Sequence, residues 1–305
     1  MAGAAGQTGA GDDGSTGGAA ACGRCAGYGT PVQTGSVGVA TLDSLSGLAV
    51  SRVQPGIMFT HNDHDRSVVY ALDLQGGQHA QLSLTNAAKS DSDFEDIAVG
   101  PCGTSSCVFL GDIGDNSAQR EQYAVLRFPE PTVPAASGSS TTMIPAYDRF
   151  PFVYEDGSHN AEALMVAPDG TIYVITKVAP GTGGRVAATG PSSVYRLPAS
   201  LSTSSVATAT KIATLSVPSG SDLAASAAAA HPCGLGFLLR TYDKVYEFTV
   251  PAGMGFEASF TTTPKVVGMP SEPQSEGIDY LPGGHGFITS GEGASAPIVE
   301  TDCAP

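Results

Sequence analysis

Three glutamates, Glu95, Glu162 and Glu276, stand at the head of similar short apolar segments, EDIAV, EALMV and EGIDY. Two further copies of the segment, SGLAV and SAAAA, carry Ser46 and Ser226 in that place. Carboxylates brought to one spot support two kinds of chemistry. They exchange protons with a reacting group when their environments separate their pKa values, or they gather oxygen ligands around a hard cation such as calcium. The plain alternative is structural, each carboxylate accepting hydrogen bonds from nearby backbone amides. A catalytic reading takes Glu162 and Glu276 as the working pair, tuned by Asp63 and Glu95. A calcium reading takes Glu95, Glu162 and Glu276 as ligands.

A second polar layer follows further along each copy. It comprises His61, Asn62 and Asp63; Asp112, Asp115 and Asn116; Lys177; Arg240 and Tyr242; and Glu292, with His159 and Asn160 just ahead of Glu162. Strand-end loops of a rigid scaffold are the usual place for binding groups. His61, Lys177 and Arg240 are candidates to hold an anionic group such as a uronate. Asn, Asp and Gly also serve turns without any ligand, so HND and DIGDN have a purely conformational reading as well.

The elements that must position these groups are strands. Apolar runs are short, rich in β-branched residues and bounded by Gly, Pro, Asn and Asp, with no sustained helical period. The motif recurs at Ser46, Glu95, Glu162, Ser226 and Glu276, a period of roughly 50–70 residues that suits one propeller blade. The second strands are IMFTHND, CVFLGDIGDN, TIYVITK, GFLLRTY and HGFITSGE; third strands such as SVVYALDL and SSVYRLP follow. Fourth strands are HAQLSL, DRFPFVY, ATKIATL and TPKVVGM, and the last copy lacks one. A strand near GSVGVATL would fill that gap and close the ring. The expected fold is all-β, a five-bladed β-propeller of four-stranded antiparallel blades. A sixth blade within residues 129–151 is the alternative.

Composition narrows the function. The 305 residues carry 39 Gly and 21 Pro, a density of turn formers that fits many short strands. A formal charge of −15 repels phosphate backbones, so no nucleic-acid partner is expected. No run of about 18 apolar residues is present, so no membrane span is expected. Residues 1–32 are dominated by Gly, Ala, Ser and Thr and read as a flexible tether, with residues 33–305 as a single propeller domain. Such tethers accompany exported bacterial envelope proteins, and six cysteines suit an oxidising compartment. Cys102 and Cys107 flank a tight loop and are expected to be bridged; Cys22 and Cys25 are expected to reach Cys233 or Cys303. The expected protein is therefore secreted or held in the bacterial envelope, and monomeric.

His61 to Asp63, Phe94 to Gly100, Gly111 to Asn116, His159 to Leu164, Val174 to Lys177 and Leu239 to Tyr242 together resemble a family of secreted bacterial propellers similar to the phytase-like and esterase-like propellers. The resemblance spans about residues 40 to 300 and implies the fold more than a reaction. Three functions follow as expectations. The first is a hydrolase acting on a glycan or related small molecule through the funnel carboxylates. The second is a calcium-dependent phosphoesterase or lactonase, and the third a non-catalytic envelope binding module. No cofactor is required by any motif, and calcium is the one candidate.

Overall fold

A computed structural model describes residues 22–63, 67–144, 146–177, 191–217, 224–268 and 272–305. The expected tether lies outside the described residues as far as residue 21. From Cys22 onward the chain is fastened to the body, as set out below.

Strand β1 (Val32–Ser36) opens the described order. The first sheet is β2 (Leu45–Val50), β3 (Ile57–Asn62), β4 (Val68–Asp73) and β5 (Gln78–Leu84), antiparallel throughout. The second begins with β6 (Phe94–Cys102), β7 (Ser105–Asp112) and β8 (Tyr123–Pro129). Two further strands come from the stretch considered for an extra blade. β9 (Ser140–Ile144) adds in parallel to β5, and β10 (Asp148–Tyr154) completes the second sheet against β8. That stretch therefore thickens one sheet and finishes the next.

The third sheet is β11 (Ala161–Val166), β12 (Ile172–Thr176), β13 (Ser193–Arg196) and β14 (Ala207–Thr214), joined to the second through parallel pairing of β10 with β14. The fourth is β15 (Ala225–Ala230), β16 (Gly236–Thr241), β17 (Val245–Thr249) and β18 (Lys265–Gly268). The last is β19 (Ser275–Tyr280), β20 (Gly286–Gly291) and β21 (Pro297–Asp302), with β1 as its outer strand. The closing strand is thus VQTGS, a few residues ahead of the expected GSVGVATL, and it joins the two ends of the chain in one sheet.

The inner strands β2, β6, β11, β15 and β19 neighbour one another in a closed ring, as the blades of a β-propeller do. Alternation along each strand sends neighbouring side chains to opposite sheets, so each interface between sheets receives its own apolar layer. Phe59 and Val69 meet Ile97 and Leu110; Phe109 and Val125 meet Leu164 and Val174; Met165 and Ile175 meet Phe237 and Leu239. Leu238 and Val245 meet Ile278 and Phe287, and Met58 and Leu72 meet Ile288 and Ile298, which closes the circle.

Three disulfides stand among the described residues: Cys102–Cys107 within the β6–β7 hairpin, Cys22–Cys233, and Cys25–Cys303. They point to an extracytoplasmic protein. The last two close loops of 211 and 278 residues and hold a short N-terminal strap against the fourth and fifth sheets. Tyr28 Oη adds a 2.7 Å hydrogen bond to Glu247. Removing both halves of Cys25–Cys303 by serine substitution is expected to lower stability by about 2–4 kcal/mol. Denaturant unfolding checks this, and an unchanged midpoint would show that β1 alone seals the ring. No described helix is long and apolar enough to cross a membrane.

Candidate functional site

Every inner strand breaks register with its neighbour at the same place. The irregularity falls between Leu45 and Leu48, Phe94 and Asp96, Ala161 and Ala163, Ala225 and Ala227, and Ser275 and Gly277. The residues skipped include Ser46, Glu95, Glu162, Ser226 and Glu276, the five repeat heads. A bulge leaves its extra residue unpaired and re-aims it. Here it frees each head from the flat ladder at the mouth of the ring.

Two heads are structural. Ser46 Oγ donates to the Glu95 carbonyl at 2.5 Å, and Ser226 Oγ to the Ser275 carbonyl at 2.7 Å, each tying one inner strand to the next. The three glutamates form an electrostatic group around Lys177. Lys177 Nζ binds the Glu162 carboxylate directly, donates to Tyr242 Oη at 2.6 Å and lies 4.9 Å from that ring's centre. Asn160 Nδ2 donates to Glu162 Oε1 at 3.3 Å, and Asn160 Oδ1 accepts from Asp115 N–H at 2.6 Å. Burial opposes charge on Lys177, yet the Glu162 carboxylate holds the ammonium well above its ordinary value.

The glutamates respond differently. Burial pushes Glu276 up to about 9, with the Glu162 charge adding to the shift and Lys177 opposing it. Burial also raises Glu95 well above the carboxylate range, reinforced by Glu162, Asp93 and Asp63. Glu162 is raised by burial but is countered by Lys177 in direct contact. When such groups share few protons, the negative charge stays on the carboxylate that touches the cation. Among the described residues that one is Glu162.

Asp63, Asp93 and Glu95 each place a carboxylate oxygen within 4.8 Å of the others. The convergence depends on Gly114, where a Cβ would stand 2.2 Å from Glu95 Oε1 and 2.5 Å from Asp93 Oδ2. The acids that lie closest together are thus Asp63, Asp93 and Glu95, in place of the Glu95–Glu162–Glu276 calcium set expected from the repeat. Glu162 is already engaged by Lys177.

Several expected binding residues make structural contacts. His61 is buried behind Gly47, whose N–H lies 3.3 Å from Nε2, while Nδ1 faces the Asn62 carbonyl at 3.1 Å. Burial lowers its pKa to about 4, so it is a neutral core residue. Asn62 bonds the Ser44 N–H and the Thr41 carbonyl, fastening a loop. Asp112 is fully buried under Arg120 and Arg149 and accepts from Asp93 N–H at 2.9 Å, so it positions Asp93. Asp115 caps the 115–120 turn through the Gln119 and Arg120 amides and Tyr123 Oη. His159 packs against Tyr154 and Tyr195 and bonds Asp156 at 2.8 Å. Arg240 is fully buried; it donates to the Gly277 carbonyl at 2.6 Å and pairs with Glu272 at 3.3 Å. Asn116 is exposed and accepts from Asn160, and Glu292 bonds Gln274 near Glu276.

Two axial acids were not expected. Asp96 accepts the amides of Ile97 at 2.8 Å, Leu164 at 2.7 Å and Ala228 at 3.4 Å, which joins three sheets on one carboxylate. A Cβ on Gly47 would lie 2.6 Å from its Oδ1. Asp279 accepts from Val50 N–H at 2.7 Å and binds Arg52. These side chains fill the axis below the glutamates. The sequence held a signal: Asp96 stands where the other copies have Gly47, Ala163, Ala227 and Gly277.

The sequence matches no family profile, and no curated protein matches it. Solved structures with a similar course of chain include a PQQ-bound aldose sugar dehydrogenase from Streptomyces coelicolor, at 9% identity and TM-score 0.47, covering 90% of this chain and 98% of that one. The apo aldose sugar dehydrogenase from Escherichia coli gives 9% identity and TM-score 0.48, covering 90% and 99%. A luciferin-regenerating enzyme gives 9% identity and TM-score 0.45, covering 85% and 77%.

Proposed function

We propose that this chain, read as five blades from its ring of inner strands, is a secreted bacterial hydrolase of neutral glycans or related polyols, working as a monomer. One observation carries the reading: of two buried carboxyl groups that feel each other's charge, Glu162 is bound directly by Lys177, while Glu276 has no such contact and is pushed up to about 9, chiefly by burial. That is the division of labour glycoside hydrolysis requires. Glu276 donates its proton to the departing glycosidic oxygen. A water molecule attacks the anomeric carbon and passes a proton to Glu162, while Lys177 and Asn160 fix that carboxylate and Tyr242 fixes Lys177. Burial and the neighbouring Glu162 charge raise the Glu95 carboxyl well above its ordinary range, so the negative charge that favours the developing positive charge on the sugar ring rests on Glu162.

Neutral substrates suit the mouth better than the uronates considered from sequence. His61 and Arg240 are committed elsewhere, and Lys177 already serves Glu162. The likeness of the HND, EDIAVG and GDIGDN segments to phytase-like and esterase-like propellers agrees with hydrolysis. The test is a panel of neutral and uronic oligosaccharides assayed for reducing ends, with wild type beside Glu162→Gln. Cleavage of a neutral glycan by wild type alone supports the proposal; a blank panel together with specific glycan-array binding would replace it with a binding module.

The Asp63–Asp93–Glu95 convergence favours a second reading, calcium-dependent hydrolysis of a phosphoester or lactone. Oxygens 4.8 Å apart or less can share an ion whose ligands lie at about 2.3–2.6 Å. A bound cation there would polarise a substrate oxygen, and Asp112 and Gly114 would keep Asp93 and Glu95 aimed at it. After removal of metal with EDTA, calcium at about 100 times its Kd is expected to raise the melting temperature by roughly 5 °C. No shift at millimolar calcium rules the cation out.

A further inference from the structure

The two mouths of the ring have opposite character. Asp96 and Asp279 fill the axis between them, so the far mouth is a separate space. It holds a cavity of about 360 Å³ walled by Val99, Pro101, Val166, Pro168 and Ala230, with Arg52 at one side. That volume lies at the lower end of the range for small-molecule pockets, which are mostly apolar with a few fixed polar groups.

Charge gives the sign of the occupant. The chain has only 14 Lys and Arg against 29 Asp and Glu, yet this mouth gathers basic side chains. Arg52 lines the cavity, and Arg24 and His285 cluster around His231 on its rim. The strap fixes this grouping through the two long disulfides: His231 Nε2 bonds the Gly23 carbonyl at 3.0 Å, and a Cβ on Gly23 would lie 3.3 Å from His285. His231 Nδ1 accepts from Cys233 N–H at 3.1 Å, so both its ring nitrogens are used and it offers the ligand nothing. Arg52 is different. Its Nη2 holds Asp279 at 3.0 Å, whereas its Nη1 makes one long contact of 3.5 Å to the Tyr280 carbonyl. Ser106, also on the cavity wall, has a buried hydroxyl with no hydrogen-bond partner.

We propose that this cavity is a second binding site, independent of the glutamate mouth, for a small carboxylate with an apolar body. The apolar body fills the valine, proline and alanine walls. The carboxylate takes its hydrogen bond from Arg52 Nη1, and Arg24 adds long-range attraction.

Isothermal titration with three probes of one shape tests the charge and the place together: phenylacetate, neutral phenylacetamide and cationic phenethylamine. Phenylacetate is expected to bind with Kd below about 1 mM, and the other two at least about tenfold more weakly. Thr104→Trp and Val53→Trp, at exposed rim positions, are expected to abolish phenylacetate binding without lowering the melting temperature. Glu276→Gln is expected to leave it unchanged, which separates this site from the catalytic proposal. Equal binding of the three probes, no binding of phenylacetate to about 10 mM, or full binding by both well-folded rim variants would overturn the assignment.

Discussion

Glu276→Gln is expected to lower kcat/KM on the proposed glycan substrate about 10³-fold at pH 7 while leaving the fold intact, since loss of a general acid costs about 10²–10⁴-fold. The amide keeps the shape and one N–H but has no proton to give. Because the Glu276 carboxyl is pushed up to about 9, the wild-type rate should fall only as pH rises through that value. The same shift governs stability. The folded state holds a proton on Glu276 that the unfolded chain releases near 4.5, so its contribution is complete below 4.5 and declines as pH rises to about 9. At most the slope is about 1.4 kcal/mol per pH unit. Gln at this position removes that slope, so the variant should gain on wild type as pH increases. Steady-state kinetics and urea unfolding between pH 5 and 10 measure both effects. Full activity in the variant refutes the role of Glu276.

Arg240→Met is expected to cost about 3–5 kcal/mol of stability, because it strands the buried Glu272 carboxylate without its cation. Arg240 and Glu272 both lie out of reach of solvent, 3.3 Å apart, and the guanidinium also holds the Gly277 carbonyl at 2.6 Å. They join the fourth sheet to the segment leading into β19. Since the penalty is that of a lone buried charge, Glu272→Gln in the Arg240→Met background should recover much of it. Urea unfolding of both single variants and the double variant gives the coupling. Additive losses would show that the two side chains act separately.

The sequence made the ring legible because each blade repeats one apolar pattern, and because Ser46, Glu95, Glu162, Ser226 and Glu276 occupy equivalent bulges in it. The Cys102–Cys107 bridge was legible for a local reason: the two cysteines lie five positions apart across a hairpin. The pairing of Cys22 with Cys233 and of Cys25 with Cys303 was not, since it depends on which sheet edge the strap crosses. Side-chain direction was the main thing hidden. His61 reads as a ligand in HND, but Gly47 leaves a space behind β2 that the imidazole fills. Arg240 reads as a substrate clamp until its partner Glu272, 32 positions along the chain, is seen beside it. Asp63 was expected beside the glutamates; Asp93, two positions ahead of Glu95, was not, because its place is set by the hydrogen bond from its N–H to the buried Asp112.

A carboxyl-resolved NMR titration of Glu276, assigned by comparison with Glu276→Gln, measures the protonation state on which the proposed chemistry turns. A midpoint near 9, moving down when Glu162 is replaced by Gln, is the predicted result. A midpoint close to 4.5 would mean that Glu276 is ionised at neutral pH and has no proton to donate.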